Sequence, residues 1–211
     1  CNWILFKVIR SLMIKILTLL LFLLNVSNSH ASNYNIILYG DSLMAGYGLP
    51  ENEHLSFQLE RDLELYYTLD TNVINGSVSG DTSSSGLNRL EWTLPNNIDL
   101  VILCLGANDM LRGINPSTIK KNLQQIISII KSKKINILLA GIQAPESYGE
   151  IYKKNFDKIF YELSEENDTP LMPFLLEGVA LNASLNQSDG KHPNFKGIKI
   201  ISNNLAMYID K

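Results

Sequence analysis

Cysteine is nearly absent from this chain, with two in 211 residues, at positions 1 and 104. If the opening segment is removed, only Cys104 remains and no internal disulfide can form. Cys104 sits in the apolar run 100–105, which reads as a buried strand, so it is expected to be a core side chain and not a reactive thiol. Histidine is as sparse, with three, of which His54 and His192 lie beyond the opening segment. With one cysteine they supply no metal-ligand spacing, so no metal cluster is expected. The longest apolar run, 16–24, falls well short of the roughly 20 residues of a membrane span. Basic residues are not in excess: 18 Lys+Arg stand against 21 Asp+Glu, and Lys7, Arg10 and Lys15 all precede position 16. The remainder is acidic, which argues against a nucleic-acid partner. Two motifs are also missing. The stretch 76–80 has Val78 where a Gly-x-Ser-x-Gly elbow has its serine, and Gly46-Tyr47-Gly48 lacks the lysine of a phosphate loop.

What is present begins with a leader. Three basic residues, the apolar run 16–24, a polar stretch and Ser29-His30-Ala31 describe a secretory signal peptide over 1–31, cut after Ala31. The alternative, an uncleaved anchor over 3–24, is interrupted by Arg10 and Lys15. Export to the periplasm or the medium is therefore expected, with one domain over 32–211 and no membrane span after cleavage.

Within that domain, apolar runs at 35–39, 71–74, 100–105 and 135–140 read as strands, with a weaker one at 170–172. The runs 100–105 and 135–140 are apolar on both faces, as parallel strands covered on two sides must be. Helical patterns lie between them. Leu55, Leu59 and Leu63 repeat every four residues, and Asn115-Pro116 is a cap and first-turn proline. Ile119, Leu123, Ile126, Ile127 and Ile130 make one stripe, 150–164 is a further helix, and Pro193 is expected to open the last. This alternation predicts an α/β fold, a parallel sheet between helix layers, with its chemistry beyond the carboxyl ends of the strands.

Four short blocks sit at such places. Gly40-Asp41-Ser42-Leu43 follows the first strand and offers Ser42 as a nucleophile whose own N–H can face an anion. Taken alone, Ser42 is better read as a helix cap. Residues 75–82 follow the second strand. Gly80 there can present a backbone N–H, where a side chain would crowd a substrate, before a helix entered through Asp81 or Thr82. Gly106-Ala107-Asn108-Asp109 follows the most apolar strand and offers the Asn108 amide to an oxygen turning negative. Asp189-Gly190-Lys191-His192 places a carboxylate three residues before a histidine, which fixes the ring tautomer and leaves the other nitrogen to take a proton. The bland alternative has Asp189 capping the last helix.

These blocks, in this order, resemble those of the SGNH or GDSL hydrolase family. The likeness covers 36–207, and Gly80-Asp81-Thr82-Ser83, Leu111-Arg112-Gly113 and Ser147-Tyr148-Gly149 are similar to its bacterial periplasmic thioesterase, arylesterase and lysophospholipase subgroup. The resemblance implies catalytic Ser42, Asp189 and His192, and an oxyanion hole of Ser42, Gly80 and Asn108. It also implies a flavodoxin-like three-layer α/β/α sandwich with about five parallel strands, no cofactor, and a mobile loop at 143–148 beside an acyl groove. Ala107 stands where the subgroup often has glycine, and the loop 47–54 matches poorly. The expected activity is hydrolysis of small-molecule acyl esters or thioesters by a monomer. A carbohydrate O-acetyl esterase, or a silent lipid- or glycan-binding protein of the same fold, are the alternatives.

Overall fold

The computed structural model of the chain describes residues 33–209 and, ahead of them, Trp3, Arg10, Met13 and Lys15. Those four are helical and exposed. The remaining residues of the expected signal peptide, and its cleavage point, lie outside the described residues. Contacts divide the chain into Cys1–Ser32 and Asn33–Lys211. Among the described residues no helix is long and apolar enough to cross a membrane.

Five strands form one parallel sheet: β1 (Tyr34–Gly40), β2 (Thr71–Asn75), β3 (Leu100–Cys104), β4 (Asn136–Ala140) and β5 (Leu171–Met172), in the order β2-β1-β3-β4-β5. Ile36 pairs with Val73 on one side and Leu100 on the other, which fixes the register of the three strands around the site. Every residue of β3 is buried, as are the last four of β4. Both faces are covered, so the apolar runs read in the sequence need no alternation. Ile36, Ile37 and Leu38 have no exposed surface, and each such side chain contributes about 1.5–3 kcal/mol. The edge strand β5 is short because Pro170 and Pro173 bracket it.

The helices are α1 (Ser42–Ala45), α2 (Leu55–Tyr67), α3 (Ser83–Thr93), α4 (Ala107–Leu111), α5 (Pro116–Ser132), α6 (Glu150–Asn167) and α7 (Phe195–Ile209). Helices α2 and α7 pack together on one side of the sheet, and α3, α5 and α6 on the other. The three leucines of α2 and the five-residue stripe of α5 are all fully or almost fully buried. Asn115 caps α5 by accepting from the Ser117 N–H, ahead of Pro116. The last helix starts at Phe195, not Pro193 as the sequence suggests. Pro193 is spent on a bridge to Asn186, and the Asn194 side chain takes the N–H groups of Lys196 and Gly197 at 3.0 and 3.2 Å.

This order reverses direction between β1 and β3, and crevices form at such a point beyond the carboxyl ends of the strands. The Ser42 block follows β1, the Gly80 block follows β2 and the Asn108 block follows β3.

Candidate active site

Ser42 owes its position to the two residues before it. A Cβ on Gly40 would sit 2.7 Å from both the Cys104 carbonyl and the Met44 sulfur, so only glycine lets β1 end this close to β3. Asp41 then leaves the strand in an extended conformation and caps α1, its Oδ1 accepting from the Leu43 N–H at 3.0 Å. Ser42 is the first residue of that helix, where a backbone N–H has no intrahelical acceptor.

His192 arrives from the segment between β5 and α7, 150 positions away, and its Nε2 lies 2.8 Å from Ser42 Oγ. Its Nδ1 lies 2.6 Å from Asp189 Oδ2. The other oxygen of Asp189 accepts from the Lys191 and His192 N–H groups at 2.9 and 3.0 Å. The ring hydrogen bond from His192, followed by these two backbone donors, holds the Asp189 carboxyl well below the usual carboxylate range. An ionised carboxylate can only accept, so in the neutral ring the proton sits on Nδ1 and the Nε2 lone pair faces the serine hydroxyl. Asp189 therefore braces His192 and does not cap α7, which Asn194 does. The Tyr47 ring lies against the imidazole with centroids 4.5 Å apart, and Gln187 ties the Tyr47 carbonyl to this turn at 2.7 Å. His54 takes no part: it is used as a loop brace, its Nε2 3.0 Å from the Leu49 carbonyl.

Gly80 has φ +88°, a left-handed conformation that glycine adopts freely, in the loop before α3. An added Cβ would meet no protein atom within 4 Å, so the backbone angle, not crowding within the protein, is what asks for glycine. The helix beyond is entered through Thr82, which forms a reciprocal cap with Ser85. The Asn108 amide spans the blocks, its Nδ2 donating to the Asp81 carbonyl at 3.0 Å and to Asp41 Oδ2 at 3.2 Å. Asp41 is 1% exposed, and burial pushes its carboxyl up to about 6 despite donation from Leu43 and Asn108. Ser42, His192 and Asn108 are half-buried, while Gly80 and Asp189 are exposed. All five sequence-predicted residues thus gather beyond the carboxyl ends of β1–β3.

Sequence reasoning passed over three residues that hold the site. Asp109 is buried and accepts from both the N–H and the hydroxyl of Ser83, at 2.7 and 2.6 Å, pinning α4 to the start of α3. Arg112 donates to the Gly80 carbonyl at 3.1 Å. Arg89 reaches back from α3 to the Asp81 carboxylate. Asp109 adjoins a motif residue at a buried strand end, which is a usable signal; Arg112 lies in the block Leu111-Arg112-Gly113 with no role read from it, and Arg89 carries no signal. Cys104 is 1% exposed, and burial, with the Asp41 charge beside it, raises its thiol well above the ordinary value, so it supplies no thiolate. Among the described residues no group of three His, Cys, Asp or Glu side chains is placed to hold a metal ion. A cavity of about 340 Å³ at the opposite end of the sheet, near Tyr34, Leu100 and Pro170, is lined by no histidine, serine or cysteine.

The chain is similar to several known proteins. The chain is 42% identical over 182 residues to an arylesterase of Vibrio mimicus, covering 86% of this chain and 90% of that one. It is 37% identical to thioesterase 1/protease 1/lysophospholipase L1 of Escherichia coli K12, covering 82% of each. The structure of AlinE4, an SGNH-hydrolase family esterase, superposes with a TM-score of 0.73 at 37% identity, covering 86% of this chain and 97% of that one. Residues 38–200 match the GDSL-like Lipase/Acylhydrolase family, and the chain belongs to that family of serine hydrolases.

Proposed function

We propose that this protein is an exported serine esterase or thioesterase that cleaves acyl esters or thioesters through a covalent acyl-enzyme. The observation that carries the reading is the continuous line Asp189–His192–Ser42, with contacts of 2.6 and 2.8 Å. His192 Nε2 takes the Ser42 proton as Oγ attacks the substrate carbonyl, and Asp189 steadies the imidazolium that forms. The negative oxygen faces the N–H groups of Ser42 and Gly80 and the Asn108 amide. Both Asn108 hydrogens are engaged in the resting site, and the longer bond, to Asp41, is the one shared with the substrate oxygen as charge develops. The C–O or C–S bond then breaks, and the imidazolium gives its proton to the leaving alcohol or thiol. A water deprotonated by His192 attacks the acyl-Ser42 ester, and protonation of Oγ releases the acid.

The names of the relatives supply the substrate class: aryl esters, acyl thioesters and lysophospholipids. Export rests on the composition of 1–31. The test is a panel of these three substrates, with an acyl chain-length series, on the protein and on Ser42→Ala. Hydrolysis by the parent and a loss of at least about 10⁴-fold in the variant are expected. The parent alone should be labelled by a fluorophosphonate. Turnover retained by Ser42→Ala overturns the mechanism, and activity confined to acetyl groups assigns the carbohydrate O-acetyl esterase reading instead.

A further inference from the structure

One guanidinium joins the separate turns of the site. Arg89 lies on α3, outside all four sequence blocks, with a side chain 20% exposed. Its Nε donates to Asp81 Oδ2 at 2.5 Å, one Nη to the Gly76 carbonyl at 2.6 Å and the other to the Gly40 carbonyl at 3.3 Å. Its face rests on the Tyr39 ring, 4.2 Å from the centroid. Gly76 begins the loop that carries Gly80, and Asp81 ends it. Gly40 stands two residues before Ser42, and its carbonyl also accepts from the Val78 N–H of that loop at 3.0 Å. The Asp81 carbonyl receives the Asn108 amide.

We propose that Arg89 is a positioning residue for the oxyanion site, fixing the Gly80 loop at both ends against the turn that carries Ser42. The inference rests on the esterase reading above. Two physical effects follow from the geometry. The first is distance: the Ser42 and Gly80 N–H groups belong to different loops, and oxyanion donors act only when both are aimed in advance at one point. The second is charge: the Asp81 carboxylate is one residue from Gly80, and without its guanidinium it would oppose a developing oxyanion. The Asp81, Gly76 and Gly40 acceptors, with Thr93 Oγ1 a fourth at 3.3 Å, are met by a planar fork that an ammonium does not reproduce.

The test compares the parent with Arg89→Lys and Arg89→Met. Ser202→Ala serves as a destabilised control, since its hydroxyl bonds the buried Asp62 at 2.6 Å on the far helix pair. For each, kcat and KM are measured on a p-nitrophenyl ester well below the unfolding temperature, together with the inhibition constant of an alkyl boronic acid, whose serine adduct is tetrahedral. Arg89→Met is expected to lower kcat about 100-fold, leave KM within about threefold, and weaken the boronate by a factor close to the loss in kcat. Arg89→Lys should lose less, by both measures in parallel, and it carries the test if the methionine variant does not fold. Ser202→Ala should keep kcat and boronate affinity despite its lower stability. If the Arg89 variants only melt earlier, with kcat and boronate affinity within about threefold of the parent, the residue is structural and the proposal fails. A parent inactive on every ester and thioester instead overturns the esterase reading itself.

Discussion

The Asn108 amide and the Asp41 carboxylate are in contact, Nδ2 to Oδ2 at 3.2 Å, so the residue beside the nucleophile also aims the side chain proposed to receive the oxyanion. Asp41→Asn tests this coupling. The new amide can still accept from Leu43 through its oxygen, but its NH₂ then faces the NH₂ of Asn108. Two donors cannot pair, and Asn108 must turn away. The expected outcome is a loss of about 10–100-fold in kcat with KM little changed, measured on an activated ester. Unchanged kcat would show that Asn108 is held by the Asp81 carbonyl alone.

Stability should carry the mark of the same carboxyl. Asp41 sits at about 6 in the folded protein, against an ordinary value of 3.8, because burial disfavours its charge. A raised value means that the folded chain binds the proton more tightly than the unfolded one. The resulting stabilisation is complete below about pH 4 and is lost as pH rises through 6, at most about 3 kcal/mol in all. Urea unfolding of the parent and Asp41→Asn across pH 4–7 measures it: the parent should lose ground against the variant over that interval. A difference independent of pH would place the Asp41 value near the ordinary one.

Much of this was legible in the sequence because it is local. Asp189 meets His192 three residues on, Asn115 caps the helix that Pro116 opens, and the runs of β3 and β4 are too apolar for anything but a sheet covered on both sides. The start of α7 was misplaced by two residues because a proline looks like a first turn, and only the tertiary pairing with Asn186 shows that Pro193 belongs to the preceding loop. The roles of Arg89 and Arg112 were hidden for a deeper reason, although Arg112 stands in the block Leu111-Arg112-Gly113. The Arg112 bond and two of the three bonds that tie Arg89 to the site end on backbone carbonyls, which have no sequence signature, and the Gly40 and Gly80 carbonyls lie 49 and 32 positions away. The Gly80 requirement was legible, but its reason was not, since a positive φ is a property of the folded loop.

Gly80→Ala follows from that angle. With φ at +88° and open space around the site of the Cβ, the cost is backbone strain of about 1–2 kcal/mol and not a clash. The loop relieves it by rotating, which swings the Gly80 N–H away from Ser42. Melting should fall by only a few degrees. The activity loss should be larger in proportion, about 10–100-fold in kcat/KM. Full activity with lowered stability would remove Gly80 from the set of oxyanion donors.

Asp189→Asn separates architecture from chemistry most cleanly. The amide oxygen can keep the Lys191 and His192 N–H groups, so the turn that presents the ring survives. The amide nitrogen then faces Nδ1 of His192, and a donor there requires Nδ1 to be the acceptor. The ring proton moves to Nε2, where it points at the Ser42 oxygen and leaves no lone pair to take the serine proton. We expect kcat to fall about 10³–10⁴-fold. Asp189 is exposed, and the unfolding temperature should hardly move at neutral pH. The ring itself reports the change, because the Nδ1 and Nε2 signals in nitrogen NMR exchange their protonated and bare characters. A variant that keeps the parent tautomer, or that keeps its rate, would show that Asp189 does not set the direction in which His192 works.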